Sequence, residues 1–162
     1  MFKYTICFIR RGDELLMLNR EKPIWMGRWN GVGGKIEPGE TPTDCILREV
    51  REETGILLSV VQYKGTVTWG DKSHYSGGMH AFIAEVPKNY TYQTPFKTEE
   101  GILDWKKIDW ILHPENTGIA NLHYYLSQML EEENTYEYRF AYEAEDVIAY
   151  NVFPLEEYVP IS

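Results

Sequence analysis

Three glutamates, Glu49, Glu52 and Glu53, stand at positions i, i+3 and i+4. A helix turns about 100° per residue, so this spacing puts all three carboxylates on one face. Held there they repel one another, and something cationic must offset them. Arg48 and Arg51 lie in the same segment. A hard divalent cation such as Mg²⁺ also takes carboxylate oxygens and keeps contacts to substrate phosphate. Spacing alone therefore leaves two readings, a solvated acidic helix face or a metal site. Two neighbours bear on the choice. The other face of the segment is apolar, with Ile46, Leu47 and Val50 in one stripe. Just upstream runs the Gly-dense Trp29-Asn30-Gly31-Val32-Gly33-Gly34, whose backbone can approach a ligand closely.

A helix that presents those acids needs a start and a stop. Thr41 is the predicted N-cap, Pro42 suits the first helical position, and Asp44 is the capping acid at the third. The helix then runs to Thr54, and Gly55 is a ready C-terminal stop. Residues 3–10, rich in Ile, Phe, Tyr and Thr, predict a strand. Arg11-Gly12-Asp13 predicts a turn and Glu14–Arg20 the returning strand, followed by a loop with Pro23 and Gly27. Leu57–Trp69 and Met79–Pro87 read as strands around a polar Gly70–Gly78 turn, and Gly101–Ile108 as a further strand. The segment Pro114–Glu133 contains a second helix, burying Ile119, Leu122, Tyr125, Leu126, Met129 and Leu130. Tyr136–Tyr142 and Asp146–Phe153 read as a hairpin around Glu143–Glu145. Long strands and only two helices point to an α/β (α+β) chain built on a mixed sheet flanked by helices. No linker interrupts it, so one domain over 1–162 is expected.

Composition narrows the function. The chain has 162 residues, 43% of them hydrophobic and 14% aromatic, with a formal net charge of −9. That excludes a disordered chain. No apolar run approaches the ~18 residues of a membrane span, and no signal pattern opens the chain. An acidic balance disfavours a duplex nucleic-acid clamp but not a small nucleotide, because a metal ion neutralises phosphate and carboxylate together. Cys7 and Cys45 are too few for a disulfide framework and form no C-x-x-C pair, so two reduced thiols in a cytoplasmic protein are expected. His74, His80, His113 and His123 lack zinc spacing. No G-x-S-x-G elbow or P-loop lysine motif is present.

Gly34, five residues, Glu40, seven residues, then Arg48-Glu49-Val50-Arg51-Glu52-Glu53-Thr54-Gly55-Ile56 resembles the complete Nudix box, G-x5-E-x7-R-E-U-x-E-E-x-G-U with U aliphatic. Every fixed position is filled, a chance match on the order of one in 10⁹ per start site from ordinary residue frequencies. The resemblance implies the Nudix fold, a mixed β-sheet sandwiched between α-helices. It implies Glu49, Glu52 and Glu53 as metal-binding carboxylates, with the Gly33 carbonyl beside them, and Glu40 with Arg48 as a structural ion pair. Gly34 and Gly39 are expected to permit the turns leading into the helix. The implied cofactor is Mg²⁺, with Mn²⁺ an alternative. The implied reaction is metal-assisted hydrolysis of a nucleoside diphosphate linked to another group, with water attacking a bridging phosphorus. Glu53 is one candidate general base and Glu100, five residues before Trp105, another; Glu52 joins them among the expected catalytic residues.

Trp29–Lys35 followed by Glu40-Thr41-Pro42, together with the Tyr136–Tyr150 stretch, further resembles the MutT-type subgroup that hydrolyses oxidised purine nucleoside triphosphates such as 8-oxo-dGTP. On that resemblance Asn30 reads a purine edge, although Asn-Gly is also a common turn dipeptide. Asn121 is a second reader, at a place where the subgroup uses aspartates. Lys35 is a phosphate contact or a strand-edge lysine. Trp25, Trp29 and Trp110 are stacking candidates that also suit a core. The expected partner is a small-molecule nucleotide, with no nucleic-acid polymer and no membrane; nothing in the sequence specifies an oligomeric state. The alternatives are a Nudix pyrophosphatase acting on a dinucleotide, sugar nucleotide or 5′-capped RNA, and a non-catalytic Nudix-fold binding module. The unbroken glutamates speak against the last.

Overall fold

The structure, a computed structural model, describes residues 2–71 and 73–155; the ends of the expected 1–162 domain lie outside the described residues. The first hairpin joins β1 (Tyr4–Arg11) to β2 (Glu14–Arg20), closing with Arg11 opposite Glu14. The two strands pair only over Ile9–Arg11 and Glu14–Leu16. Beyond that they part, and residues 29–35 fill the gap. There β3 (Trp29–Asn30) pairs with Asn19 and Leu18 of β2. Val32 exchanges two hydrogen bonds with Cys7, of 2.7 and 3.1 Å, and Thr5 N donates to Gly34 O at 2.8 Å. The Gly-dense run is thus an inserted strand segment, held by long-range backbone pairing.

Helix α1 spans Pro42–Thr54. Thr41 and Asp44 form a reciprocal capping box, and Gly55 closes the helix in the left-handed region at φ 79°, where a Cβ is penalised. The remaining strands are β4 (Gln62–Gly70), β5 (Tyr75–Val86), β6 (Phe96–Lys97), β7 (Gly101–Lys107), β8 (Tyr136–Glu143) and β9 (Asp146–Pro154). They build one sheet in the order β6-β7-β2-β1-β5-β4-β8-β9, with β3 off this path on β2. It is mixed: β1 with β5 and β4 with β8 run parallel, the other pairs antiparallel. Helices α2 (Ile108–Ile111) and α3 (Leu122–Glu131) follow β7.

Strand alternation divides the core into two faces. Cys7, Ile9, Leu16, Leu18, Phe82 and Leu103 pack against Ile46 and Val50 of α1. Ile6, Phe8, Leu15, Met17 and Ala81 pack against Leu122, Tyr125, Leu126 and Met129 of α3. Full burial of an aliphatic side chain is worth about 1.5–3 kcal/mol, so Ile46 and Val50 alone fasten α1 firmly to the sheet and fix the direction of its acidic face.

Three element boundaries differ from expectation. The strand expected from Leu57 begins at Gln62. Leu57 and Val60 are 78% and 76% exposed, because the chain there crosses from the helix to the sheet without a partner strand. The turn expected over Gly70–Gly78 is shorter, since β5 already starts at Tyr75. Asp71 Oδ1 accepts the amides of Ser73 and His74 at 2.7 and 3.0 Å and tightens it. The helix expected within Pro114–Glu133 starts at Leu122, so Ile119, expected on its buried side, is buried in the chain ahead of it, and the one-turn α2 adds a third helix to the two expected.

Candidate active site

The centre of the α1 acidic face is Glu53. Its Oε2 is buried with no hydrogen-bond partner. Burial raises its pKa to about 8, reinforced by the charges of Glu49 and Glu100 and opposed by the Gly33 amide and Arg20. Glu49 is also raised, first by burial, against the pull of Arg48, with Glu52 and Glu100 adding repulsion. Glu100 therefore belongs to the same electrostatic cluster, although 47 positions separate it from Glu53 in the sequence. A threonine turn sets it there: Thr98 Oγ1 accepts the amides of Glu100 and Gly101 at 3.1 and 3.2 Å. Glu100 O also accepts from Glu21 N at 3.0 Å, which ties this turn to the end of β2.

Arg48 is the counter-charge that holds the box together. Its Nε and Nη2 donate to the two carboxylate oxygens of Glu40 at 2.6 and 2.9 Å. Nη2 also reaches Lys35 O at 3.1 Å, and Nη1 reaches Glu49 Oε1 at 2.9 Å and Glu52 Oε2 at 3.2 Å. The fork geometry of a guanidinium suits this multiple engagement. The Glu40 carboxyl is held down to about 2, chiefly by Arg48.

Gly34 lies directly under Glu49. A Cβ there would come within 2.4 Å of Glu49 Cδ and Oε1. Its φ is not in the left-handed region, unlike that of Gly39 at 84°. The turn expected at Gly34 is thus replaced by a close approach, in which the missing side chain leaves space for a carboxylate. Gly33 lies against the Thr5 carbonyl in the same way: a Cβ there would come within 2.0 Å of the Thr5 oxygen.

Among the described residues no three His, Cys, Asp or Glu side chains are already gathered as a metal cage; Arg48 holds Glu49 and Glu52 instead. The donor set nevertheless fits a hard cation. It offers oxygen ligands only, a buried unpaired Glu53 oxygen, and mutual repulsion that a cation relieves.

The other expected site residues fall further out. Asn30 Oδ1 accepts its own neighbour's amide, Gly31 N, at 2.9 Å, and its Nδ2 makes no hydrogen bond among the described residues. Asn121 Nδ2 donates to Tyr142 Oη at 2.9 Å. The main chains of the two segments meet: Trp29 N donates to Gly118 O and Ala120 N to Trp29 O, at 2.8 and 3.0 Å. No hydrogen bond joins the side chains of Asn30 and Asn121 among the described residues. The Lys35 side chain is exposed, and its carbonyl serves Arg48. Trp29 and Trp110 form an edge-to-face pair at 6.4 Å, with Lys106 Nζ over both rings at 4.6 and 5.0 Å. Trp25 packs on the α3-side core.

Sequence reasoning missed Arg20, the cation that opposes the rise of Glu53. It sits opposite Gly101 in the β2–β7 register, and its Nε donates to Ile24 O at 2.9 Å. It missed the Tyr142 contact as well. Neither has a local signal: Arg20 is set by the β2–β7 register, and the Tyr142 contact by β8 meeting the residue that precedes α3.

The family model described as NUDIX domain matches residues 3–161. The chain belongs to the Nudix family. It is a Nudix hydrolase, one of the enzymes acting on nucleoside diphosphate-linked substrates. The "Uncharacterized Nudix hydrolase YvcI" of Bacillus subtilis is 31% identical over 158 residues, 94% of each chain. The oxidized purine nucleoside triphosphate hydrolase of Mus musculus is 28% identical over 113 residues, 67% of each chain. The NAD-capped RNA hydrolase NudC of Pseudomonas fluorescens is 41% identical over 79 residues, 49% of this chain and 28% of that protein. A crystal structure of the mutator MutT protein from Bacillus halodurans shares the Nudix fold, with a TM-score of 0.72 at 24% identity over 94% of this chain and 97% of that one.

Proposed function

We propose that this Nudix hydrolase cleaves nucleoside triphosphates, oxidised purines such as 8-oxo-dGTP foremost, to the monophosphate and pyrophosphate, with Mg²⁺ as its cofactor. Glu49, Glu52 and Glu53, with the Gly33 carbonyl, hold the ion. A bound divalent cation supplies Lewis-acid polarisation of phosphoryl oxygen and lowers the pKa of its water. Glu53 Oε2 and Glu100 are the two groups placed to receive the proton from the attacking water. In the metal-free chain burial and like charge raise the proton affinity of Glu53, a repulsion that a bound cation relieves. Arg48, fixed by Glu40, keeps α1 and the Gly33–Lys35 segment in register.

The observation that carries the reaction is the buried, unpaired Glu53 Oε2 inside the Glu49–Glu100 cluster. The base assignment draws support from the backbone bonds that join Trp29 to Gly118 and Ala120, which bring the Asn30 and Asn121 segments together, and from the likeness to the mouse hydrolase. A substrate panel with Mg²⁺ tests both parts. The expected result is pyrophosphate released from 8-oxo-dGTP at a higher kcat/KM than from any unmodified nucleotide. Monophosphates released from both halves of a dinucleotide, with no pyrophosphate from triphosphates, would transfer the chain to the dinucleotide or capped-RNA class.

A further inference from the structure

The last turn of a helix leaves its carbonyls without intrahelical donors, and at the end of α1 one of them has a distant partner. Tyr92 Oη donates to Thr54 O at 2.6 Å. Thr54 directly follows Glu53 and is buried. Tyr92 lies between β5 and β6, in the chain that leads to the Glu100 turn and β7. Its ring is seated independently of its hydroxyl. It meets Phe96 and Trp105 edge to face at 6.4 and 6.5 Å, and the Tyr92 carbonyl accepts from Trp105 Nε1 at 3.1 Å. Trp105 is itself buried in β7, with the Arg11 guanidinium 3.9 Å from its ring centroid. Tyr92 therefore spans from the residue after Glu53 to the strand that begins just after Glu100. Among the described residues, no other side-chain hydrogen bond joins residues 51–55 to residues 87–107.

This tie acts against a force. Glu49 and Glu53 on α1 and Glu100 on its turn repel one another, which pushes the helix end and the turn apart. Ile46 and Val50 fasten α1 further upstream, whereas the Tyr92 bond acts beside Glu53. We propose that Tyr92 is a positioning residue, whose hydroxyl clamps the last turn of α1 to β7 and so sets the separation of Glu53 from Glu100. The inference rests on the reading of those two glutamates as the groups that receive the proton of the attacking water. Reacting groups tolerate little displacement, and a shift of about 1 Å can cost two orders of magnitude in rate. A phenol suits this task, because its reach is set by a rigid ring.

The test is steady-state kinetics with Mg²⁺ on the full chain, using whichever nucleoside diphosphate-linked substrate wild type cleaves fastest. Wild type, Tyr92→Phe, Glu100→Gln, the double variant and Thr94→Val are compared. Tyr92→Phe keeps the ring and deletes the donor. Its kcat should fall roughly 5- to 10-fold, the value of one hydrogen bond. KM should stay within about 2-fold of wild type, the split expected when an arrangement needed only in the transition state is lost. Glu100→Gln removes the group being positioned, so in that background Tyr92→Phe should leave kcat unchanged. Thr94→Val cuts a different bond of the same segment, Thr94 Oγ1 to Asp104 Oδ1 at 2.6 Å; it should lower Tm and leave kcat at the wild-type value. A wild-type kcat in Tyr92→Phe overturns the inference. So does an equal loss in both backgrounds, or a loss in Thr94→Val as large as in Tyr92→Phe, since each describes a bond that serves the fold alone. A wild-type kcat in Glu100→Gln instead removes Glu100 from the proposed chemistry and takes the inference with it. Absence of pyrophosphate release from triphosphates overturns the substrate assignment alone, so the failures are distinguishable.

Discussion

Arg48 grips Glu40 with two parallel hydrogen bonds of 2.6 and 2.9 Å, and both side chains are only 16% exposed. The same guanidinium reaches Lys35 O and two carboxylates of α1. Loop, helix and acidic face are thereby locked around one cation. Removing the charge of Glu40 should cost stability more than chemistry. For Glu40→Gln a loss of about 1–3 kcal/mol follows from a charge-assisted hydrogen bond, or a Tm lowered by several degrees. The pH dependence has a definite sign. Glu40 is held at about 2 against an ordinary 4.5, so its contribution is complete above pH ~4.5 and is lost as pH falls toward ~2. Melts of both proteins should differ by a constant amount above pH 5 and converge in acid. Coincident melts at pH 7 would remove the pair from the stability of the fold.

Gly34→Ala tests the close approach beneath Glu49. The new Cβ would sit 2.4 Å from the Glu49 carboxyl carbon. That atom ends a flexible side chain, so the chain should still fold with a Tm near wild type. The carboxylate, however, must swing away. Mg²⁺ affinity should drop about 10- to 100-fold, the usual cost of misorienting a ligand. Metal titration at constant substrate reads this directly. An unaltered Mg²⁺ dependence would mean that Glu49 does not bind the ion.

What could be read from the sequence was local. Thr41, Pro42, Asp44 and Gly55 specify the ends of α1 through contacts within a few residues, and the acidic spacing follows once the helix exists. What escaped was set by partners far along the chain. Leu57-Leu58-Ser59-Val60-Val61 has strand composition, yet no strand lies beside it, and Leu57 and Val60 stay exposed. Trp29–Asn30 looks like a turn and becomes a strand because β1 and β2 separate and leave Leu18 and Asn19 to pair with it. The nearness of Arg20 and Glu100 to Glu53 depends on the β2–β7 register, which no spacing within either segment discloses.

Glu53→Gln should abolish most turnover and yet steady the metal-free protein. The acid's folded pKa is about 8 against an ordinary 4.5. Between those values the folded chain holds a proton that the unfolded chain has lost, so the metal-free stability of wild type should fall as pH rises from ~4.5 to ~8. Glutamine carries no charge and removes that slope. In chelator, the variant should melt above wild type at pH 8 and close to it at pH 4. With Mg²⁺ its kcat should be lower by at least ~10²-fold. Parallel melting curves across this range would show that Glu53 is not a desolvated acid, and near-normal turnover would take it out of the metal site.

Asn30 can be examined with two substitutions that separate its contacts. Its Oδ1 holds Gly31 N at 2.9 Å, while Nδ2 has no partner among the described residues. Asn30→Asp keeps the acceptor for Gly31 and deletes the free donor; Asn30→Ala deletes both. If the donor reads the extra carbonyl oxygen of an oxidised purine, Asn30→Asp should lower kcat/KM for 8-oxo-dGTP roughly 10- to 100-fold relative to dGTP. The added negative charge penalises both triphosphates alike, so it cancels in that ratio. Tm should stay near wild type in Asn30→Asp and fall in Asn30→Ala, which loses the bond to Gly31. Should the ratio of 8-oxo-dGTP to dGTP be the same in Asn30→Asp as in wild type, the Asn30 side chain would serve only the Gly31 amide, and discrimination of the oxidised base would have to come from other residues.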